Sequence, residues 1–222
     1  MSTRALSQNE AKRYYDRFGS KQDAQGWYED PAIEDLVSAS DFAHAGAVLE
    51  LGCGTGRVAE MLLERRLAEA ASYTGVDISE TMVKISRERL ARFGGRATVM
   101  LQEATGFASY PNGSFDRVLC TYVLDLLPRA KILRALDWAF DVLEPDGLFC
   151  FAGITKGTGL VSRCVMGLWS FVFSLKPSWV GGCRPLELAD LLGPDQWAVE
   201  HRRVVVAWGI ASEVVVARKQ PA

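Results

Sequence analysis

Gly52, Gly54 and Gly56 alternate in Val48-Leu49-Glu50-Leu51-Gly52-Cys53-Gly54-Thr55-Gly56-Arg57, where an apolar run meets an amphipathic one. Glycine lets a chain turn tightly and lets a ligand meet main-chain atoms with no Cβ in the way. The bare N–H groups of such a turn, at the start of a helix, attract a carboxylate or a phosphate. Glu50 puts an acid at the carboxyl end of an otherwise apolar strand. An unpaired buried carboxylate is costly, so Glu50 is expected to face the polar turn or a ligand. Asp77 ends Gly75-Val76-Asp77, twenty-one residues beyond Gly56, where a carboxylate can accept from both hydroxyls of a ribose. Glu103, in Gln102-Glu103-Ala104, is a third acid at a third strand end. Open α/β sheets bind ligands at that edge, so the three acids mark one cleft for a nucleoside.

The elements that must hold these residues follow from periodicity. Short apolar runs at 47–51, 72–77, 96–101, 115–121 and 148–154 read as strands. Between them lie amphipathic stretches at 57–70 and 129–143, and one capped by Ser79 that runs to Gly94. Strand–helix alternation of this kind makes a parallel sheet with right-handed crossovers and helices on both faces. Residues 1–45 read as a helical cap, with Ser7 and Glu10 at capping-box spacing and Asp30-Pro31 opening a second helix. Residues 199–207 and 211–217 are β-rich runs separated by three residues, too few for a parallel crossover. They are expected to form a C-terminal antiparallel hairpin at one end of the sheet.

Composition narrows the function classes. The 222 residues carry 25 Lys+Arg against 27 Asp+Glu, a net charge of −2 that disfavours a general nucleic-acid binder. No stretch approaches ~18 uninterrupted apolar residues, and the N-terminus lacks the apolar core of a signal peptide. The five cysteines show neither C-x-x-C nor C-x-x-H spacing, so no metal site is expected and a reducing cytoplasm is the natural setting. One domain over residues 1–222 is expected, with residues 155–195 as an insert over the site.

With these residues in place, Glu50-Leu51-Gly52-Cys53-Gly54-Thr55-Gly56, Gly75-Val76-Asp77-Ile78-Ser79, Gln102-Glu103-Ala104 and the stretch 115–127 resemble the class I S-adenosylmethionine-dependent methyltransferases. The small-molecule UbiE/menaquinone-type branch is the nearest, and the resemblance covers roughly residues 45–155. It implies a Rossmann-like seven-stranded sheet and S-adenosyl-L-methionine as cofactor. Gly52, Cys53, Gly54 and Gly56 would then meet the methionine part, with Glu50 supporting their turn. Asp77 would bind the ribose, Ile78 would pack on adenine, Glu103 and Ala104 would read its edge, and Cys120 would line the methionine side. Gln102 and Glu103 depart from the Gly-Asp often found there, which weakens the adenine assignment. The same glycines also satisfy G-x-G-x-x-A, so a nicotinamide-dependent oxidoreductase is the rival enzyme. A module that binds the cofactor without turnover is a third reading.

Methyl transfer from a sulfonium needs positioning and exclusion of water more than a strong base, and none announces itself. His44 and His201 read as surface or satisfied histidines, and Cys53 as a small filler. Tyr15, Tyr122, Asp125 and Trp169 are the candidates for the acceptor's pocket. From Gly147 to Leu186 there is no acid but four basic residues, leaving 21 basic residues elsewhere to face all 27 acids. Within this window 160–175 reads as an apolar helix with a narrow polar strip of Arg163, Gly167, Ser170 and Ser174. It is expected to be a lid on the site, a face for a small, lipid-like acceptor (quinone, lipid headgroup or thiol) with peripheral membrane contact through 159–184, or a self-association surface.

Overall fold

A computed structural model describes residues 13, 16, 19–102 and 106–221. Tyr15, Glu103, Ala104 and the Ser7/Glu10 capping box lie outside the described residues. Seven strands form one sheet: β1 Ala47–Leu51, β2 Ser72–Asp77, β3 Ala97–Leu101, β4 Phe115–Thr121, β5 Leu143–Ile154, β6 Trp197–Ala207 and β7 Ile210–Lys219. Their order is β3-β2-β1-β4-β5-β7-β6. The first five pair in parallel, while β7 runs antiparallel to both β5 and β6. The Trp208-Gly209 turn between β6 and β7 is too short for a parallel crossover, as the sequence required.

Five α-helices are described: α1 Gly26–Ala39, α2 Arg57–Arg65, α3 Glu80–Leu90, α4 Arg129–Val142 and α5 Gly159–Leu175. Successive side chains of a strand point to opposite faces, and the core divides accordingly. Val48, Leu119, Cys150, Val214 and Val216 join α1 and α2 in one cluster. Leu49, Val118, Cys120, Phe149, Phe151 and Val215 join α4 in the other. Both faces of the sheet are therefore covered.

Three local expectations need correction. Asp30 does not cap a helix: α1 begins at Gly26 and Pro31 lies inside it. The Asp30 carboxylate pairs instead with Arg57 across the gap to α2. Helix α2 stops at Arg65 rather than Ala70. Helix α3 ends at Leu90 and passes into a 3-10 segment, Ala91–Arg96, in which Gly94 takes φ +56°. Ser79 caps α3 as read, its hydroxyl accepting from Met82 N at 3.2 Å.

Candidate cofactor and acceptor site

The sheet order changes direction between β1 and β4, and the loops leaving their carboxyl ends diverge there. This is the switch point at which open α/β sheets form a crevice. The glycine loop fills one side of it. Gly52, Gly54 and Gly56 take φ of +73°, +52° and +76°, a left-handed backbone that costs glycine little and other residues much. The loop is braced to β2, because Gly52 N and Cys53 N donate to Val76 O at 2.8 and 3.1 Å and Gly54 N donates to Asp77 Oδ2 at 3.0 Å. A Cβ on Gly52 would sit 2.3 Å from Val123, and one on Gly56 would sit 2.5 Å from Ser86 Oγ. These glycines are thus required by close packing as well as by backbone angle.

Asp77 is placed where the sequence put it, but it already serves the loop. Its second oxygen accepts from Ser79 N at 2.8 Å. A carboxylate has about four acceptor positions, so it is not exhausted by these amides. Burial raises its pKa to about 6, opposed by the amides of Ser79, Gly54 and Ile78. Glu50 differs from expectation. Its side chain turns onto β2 and accepts from the Tyr73 hydroxyl at 2.5 Å, with only 1% of the residue exposed. Burial carries it up to about 8, against the pull of that hydroxyl. Cys53 is packed beside Gly75, and burial, with Asp77 and Glu50 nearby, pushes its thiol well up. It is a filler. Cys120, at the carboxyl end of β4, is fully buried in the second core cluster.

The stretch before α1 covers the glycine loop, which the sequence did not disclose. Asp23 accepts from Thr55 Oγ1 at 2.6 Å and pairs with Arg89 at 2.6 Å. Asp16 accepts from Ser79 Oγ at 2.6 Å. The Gln22 amide lies against Gly54, 2.9 Å from where a Cβ would be, and its Oε1 is buried without a hydrogen-bond partner. Arg57, the first residue of α2, reaches back to Glu29 at 3.2 Å and to Asp30.

The other side of the crevice is aromatic and acidic. Tyr28 meets Tyr122 and Trp169 edge-on, with ring centroids 6.0 and 6.5 Å apart. Tyr122 is held in a left-handed backbone (φ +54°), and its hydroxyl lies 2.9 Å from Ser212 Oγ. The Trp169 indole donates to Cys183 O at 2.9 Å. Asp125 is fully buried. One oxygen accepts from Ile154 N at 3.1 Å, and the other has no partner. Burial raises Asp125 to about 6 and Glu29 to about 7, Arg57 opposing the shift in Glu29. Glu29 follows Tyr28 and Asp125 lies three residues beyond Tyr122, so the ring contact gathers these two segments into one neighbourhood. Tyr122, Asp125 and Trp169, read separately from the sequence, are therefore brought together. Tyr28 and Glu29 were missed, and their only signal was an aromatic–acid pair just before Asp30-Pro31. The two histidines stand apart, His44 on Asp41 and His201 on Asp35, each at 2.7 Å.

Residues 48–147 match the family model described as a methyltransferase domain. The chain is 30% identical over 146 residues to a ubiquinone biosynthesis O-methyltransferase of Aromatoleum aromaticum, across 64% of this chain and 59% of that protein. It is 28% identical over 136 residues to a demethylmenaquinone methyltransferase of Symbiobacterium thermophilum, across 61% of this chain and 52% of the relative. The chain therefore matches less than two thirds of the length of either relative. The fold is shared with the N-methyltransferase NodS from Bradyrhizobium japonicum, solved in complex with S-adenosyl-L-homocysteine. The TM-score is 0.65 at 16% identity, over 87% of this chain and 88% of that one.

Proposed function

We propose that the chain is a class I S-adenosylmethionine-dependent methyltransferase, on the match over residues 48–147, and that it methylates a small apolar acceptor of quinone type. The observation that supports this most is the glycine loop, with three left-handed glycines tied to Val76 and Asp77 at the switch point. The residues present fit the cofactor. The buried, unpartnered Gln22 Oε1 beside Gly54 is an acceptor suited to the ammonium of the methionine part. Gly52, Cys53, Gly54 and Gly56 would offer backbone to the same part, the remaining acceptor capacity of Asp77 would take ribose hydroxyls, and Ile78 would pack on adenine. Glu103 and Ala104 are the candidates for the adenine edge. Glu50 acts through Tyr73 on the β1–β2 seam, and Cys120, at the carboxyl end of β4, is the candidate to line the methionine side.

When bound, the cofactor supplies an electrophilic methyl group on sulfur. The chain's own part is to orient the acceptor and keep water away. Tyr28, Tyr122 and Trp169 offer flat apolar edges to an aromatic or quinonoid ring. The free oxygen of Asp125 can accept a hydrogen bond, and then a proton, from an acceptor hydroxyl, and Glu29, next to Tyr28 and paired with Arg57, is a second buried carboxylate. Tyr15 is a further candidate to close over the cofactor. The finer placement of the protein, peripheral contact with a membrane through 159–184, agrees with an apolar acceptor. No helix among the described residues is long and apolar enough to cross a membrane.

A thermal-shift comparison tests the class. S-adenosyl-L-homocysteine at a hundredfold excess over its Kd stabilises the fold by about 2.7 kcal/mol, by mass action. Stabilisation by NAD(H) or NADP(H) alone would restore the oxidoreductase reading. Turnover on hydroxylated quinols of increasing side-chain length tests the acceptor. Each buried methylene contributes about 0.8 kcal/mol, so kcat/KM rises with chain length until the pocket is full. A cofactor that binds without turnover on any acceptor leaves the binding-module reading.

A further inference from the structure

Helix α5 sits in the fold with an apolar side turned outward. Ser162, Met166 and Phe173 are its buried residues, and Ala211 N donates to the Met166 sulfur at 3.4 Å. The polar strip of Arg163, Gly167 and Ser170 lines a cavity of about 490 Å³, with Lys156, Arg202 and Glu213 across from it. What remains for solvent is Leu160, Leu168, Phe171 and Leu175, in i, i+8, i+11, i+15 register, with Val161 and Cys164 beside them. Leu160 is 84% exposed and Leu168 63%. A soluble helix normally hides such a sector, and a patch of this kind marks an interaction surface.

Two tryptophans extend the patch beyond the helix. Trp179 follows α5, is 67% exposed, and carries the Lys176 ammonium 5.3 Å from its ring centre. Trp208 is 81% exposed at the tip of the β6–β7 hairpin, and the adjoining Gly209 packs so closely on Val165 of α5 that a Cβ there would come within 2.8 Å. The turn is thereby fixed against the helix. Arg163 and Lys176 stand on and next to the helix as cations, while Lys156 is paired with Glu187 and Arg184 turns inward to Leu127 O at 2.6 Å; residues 147–186 themselves hold no acid, although the chain as a whole is acidic.

We propose that the outer sector of α5, with Trp179 and Trp208 at its margins, docks flat on an anionic lipid bilayer. This deepens the peripheral-contact reading above and rests on it. The occupant is chosen by charge and by ring chemistry. Exposed Leu and Phe enter the acyl boundary, indoles prefer the headgroup level, and the Arg163 and Lys176 cations are attracted by anionic headgroups. A second copy of this chain would bring Arg163 and Lys176 against themselves, which argues against self-association. The helix is too short to span, so the contact is one-sided and reversible.

The test is sedimentation of the full chain with vesicles of phosphatidylcholine, alone and with about one third phosphatidylglycerol. The anionic vesicles are expected to bind at least tenfold more tightly, with the excess lost as salt is raised from about 0.1 M to about 0.5 M. Leu168→Glu and Phe171→Glu, both at exposed positions, should each reduce binding at least tenfold while S-adenosyl-L-homocysteine affinity by calorimetry is unchanged. Lys176→Gln should weaken binding to anionic vesicles and flatten its salt dependence. Equal binding to both vesicle types, or Glu variants that bind like the parent, overturns the proposal. So does a dimer in light scattering that Leu168→Glu dissolves while the parent ignores vesicles, for then the face is covered by a second copy. If the parent binds anionic vesicles but no S-adenosyl-L-homocysteine, the enzymatic reading fails and the docking surface stands.

Discussion

Glu50→Gln should make the protein more stable, by an amount set by pH. The carboxyl is buried against the Tyr73 hydroxyl and its pKa rises from 4.5 to about 8. Folding therefore favours the protonated acid. Below pH 4.5 both folded and unfolded chains are protonated, and nothing is lost. As pH rises from 4.5 toward 8 the unfolded chain ionises while the folded one holds its proton, so stability falls by about 1.4 kcal/mol per pH unit. Above about 8 the loss levels off. Glutamine keeps the shape and a hydrogen bond to Tyr73 but does not titrate. Between pH 5 and pH 7 the stability gap between the variant and the parent should widen by about 3 kcal/mol, roughly 5–10 °C in Tm for a chain this long. Denaturant melts of both proteins at pH 5, 6 and 7 measure it, and titrating groups that do not interact with Glu50 cancel in the difference. A gap that stays constant with pH would mean that Glu50 is ionised in the folded protein, and the account of its burial would be wrong.

Gly56→Ala combines a left-handed φ of +76° with a Cβ 2.5 Å from Ser86 Oγ, and should cost about 1–3 kcal/mol in denaturant melts. Adding Ser86→Ala should return the steric part and leave the backbone part; full recovery would show that φ was no obstacle. Asp77→Ala removes the acceptor for Gly54 N and Ser79 N as well as the proposed ribose contact. Charged hydrogen bonds contribute about 1.5–3 kcal/mol each, so S-adenosyl-L-homocysteine should bind at least tenfold more weakly by calorimetry. Unchanged affinity would move the ribose elsewhere. Asp125, raised to about 6, should give kcat/KM a limb that rises with pH through that value; Asp125→Asn should abolish the limb, and a profile that keeps it would acquit this residue.

The strands, the glycine loop and the terminal hairpin were legible in the sequence because local rules govern them. Ala47–Leu51, Ser72–Asp77 and Phe115–Thr121 appear at the residues their apolar runs mark, and Ser79 caps α3 as its side chain dictates. A turn that needs left-handed backbone needs glycine, so Gly52, Gly54 and Gly56 declare themselves. The sheet's antiparallel end follows from a linker too short for any other connection.

Partners far apart in the chain were decided only by the tertiary structure, since periodicity says which side of an element is apolar but not what it meets. Asp30, with every local mark of a helix cap, pairs with Arg57 instead, because the fold brings α1 beside α2. Glu50, expected at the crevice, turns to Tyr73 twenty-three positions along, where the neighbouring strand offers a buried hydroxyl. Tyr122 and Tyr28 come together from the end of β4 and from α1, and no spacing within either segment encodes that meeting. The sequence showed that α5 has an apolar side and a polar strip. Only packing decided that the strip lines a cavity and that Leu160, Leu168, Phe171 and Leu175 face outward, because Met166 and Phe173 already satisfy the inner contact.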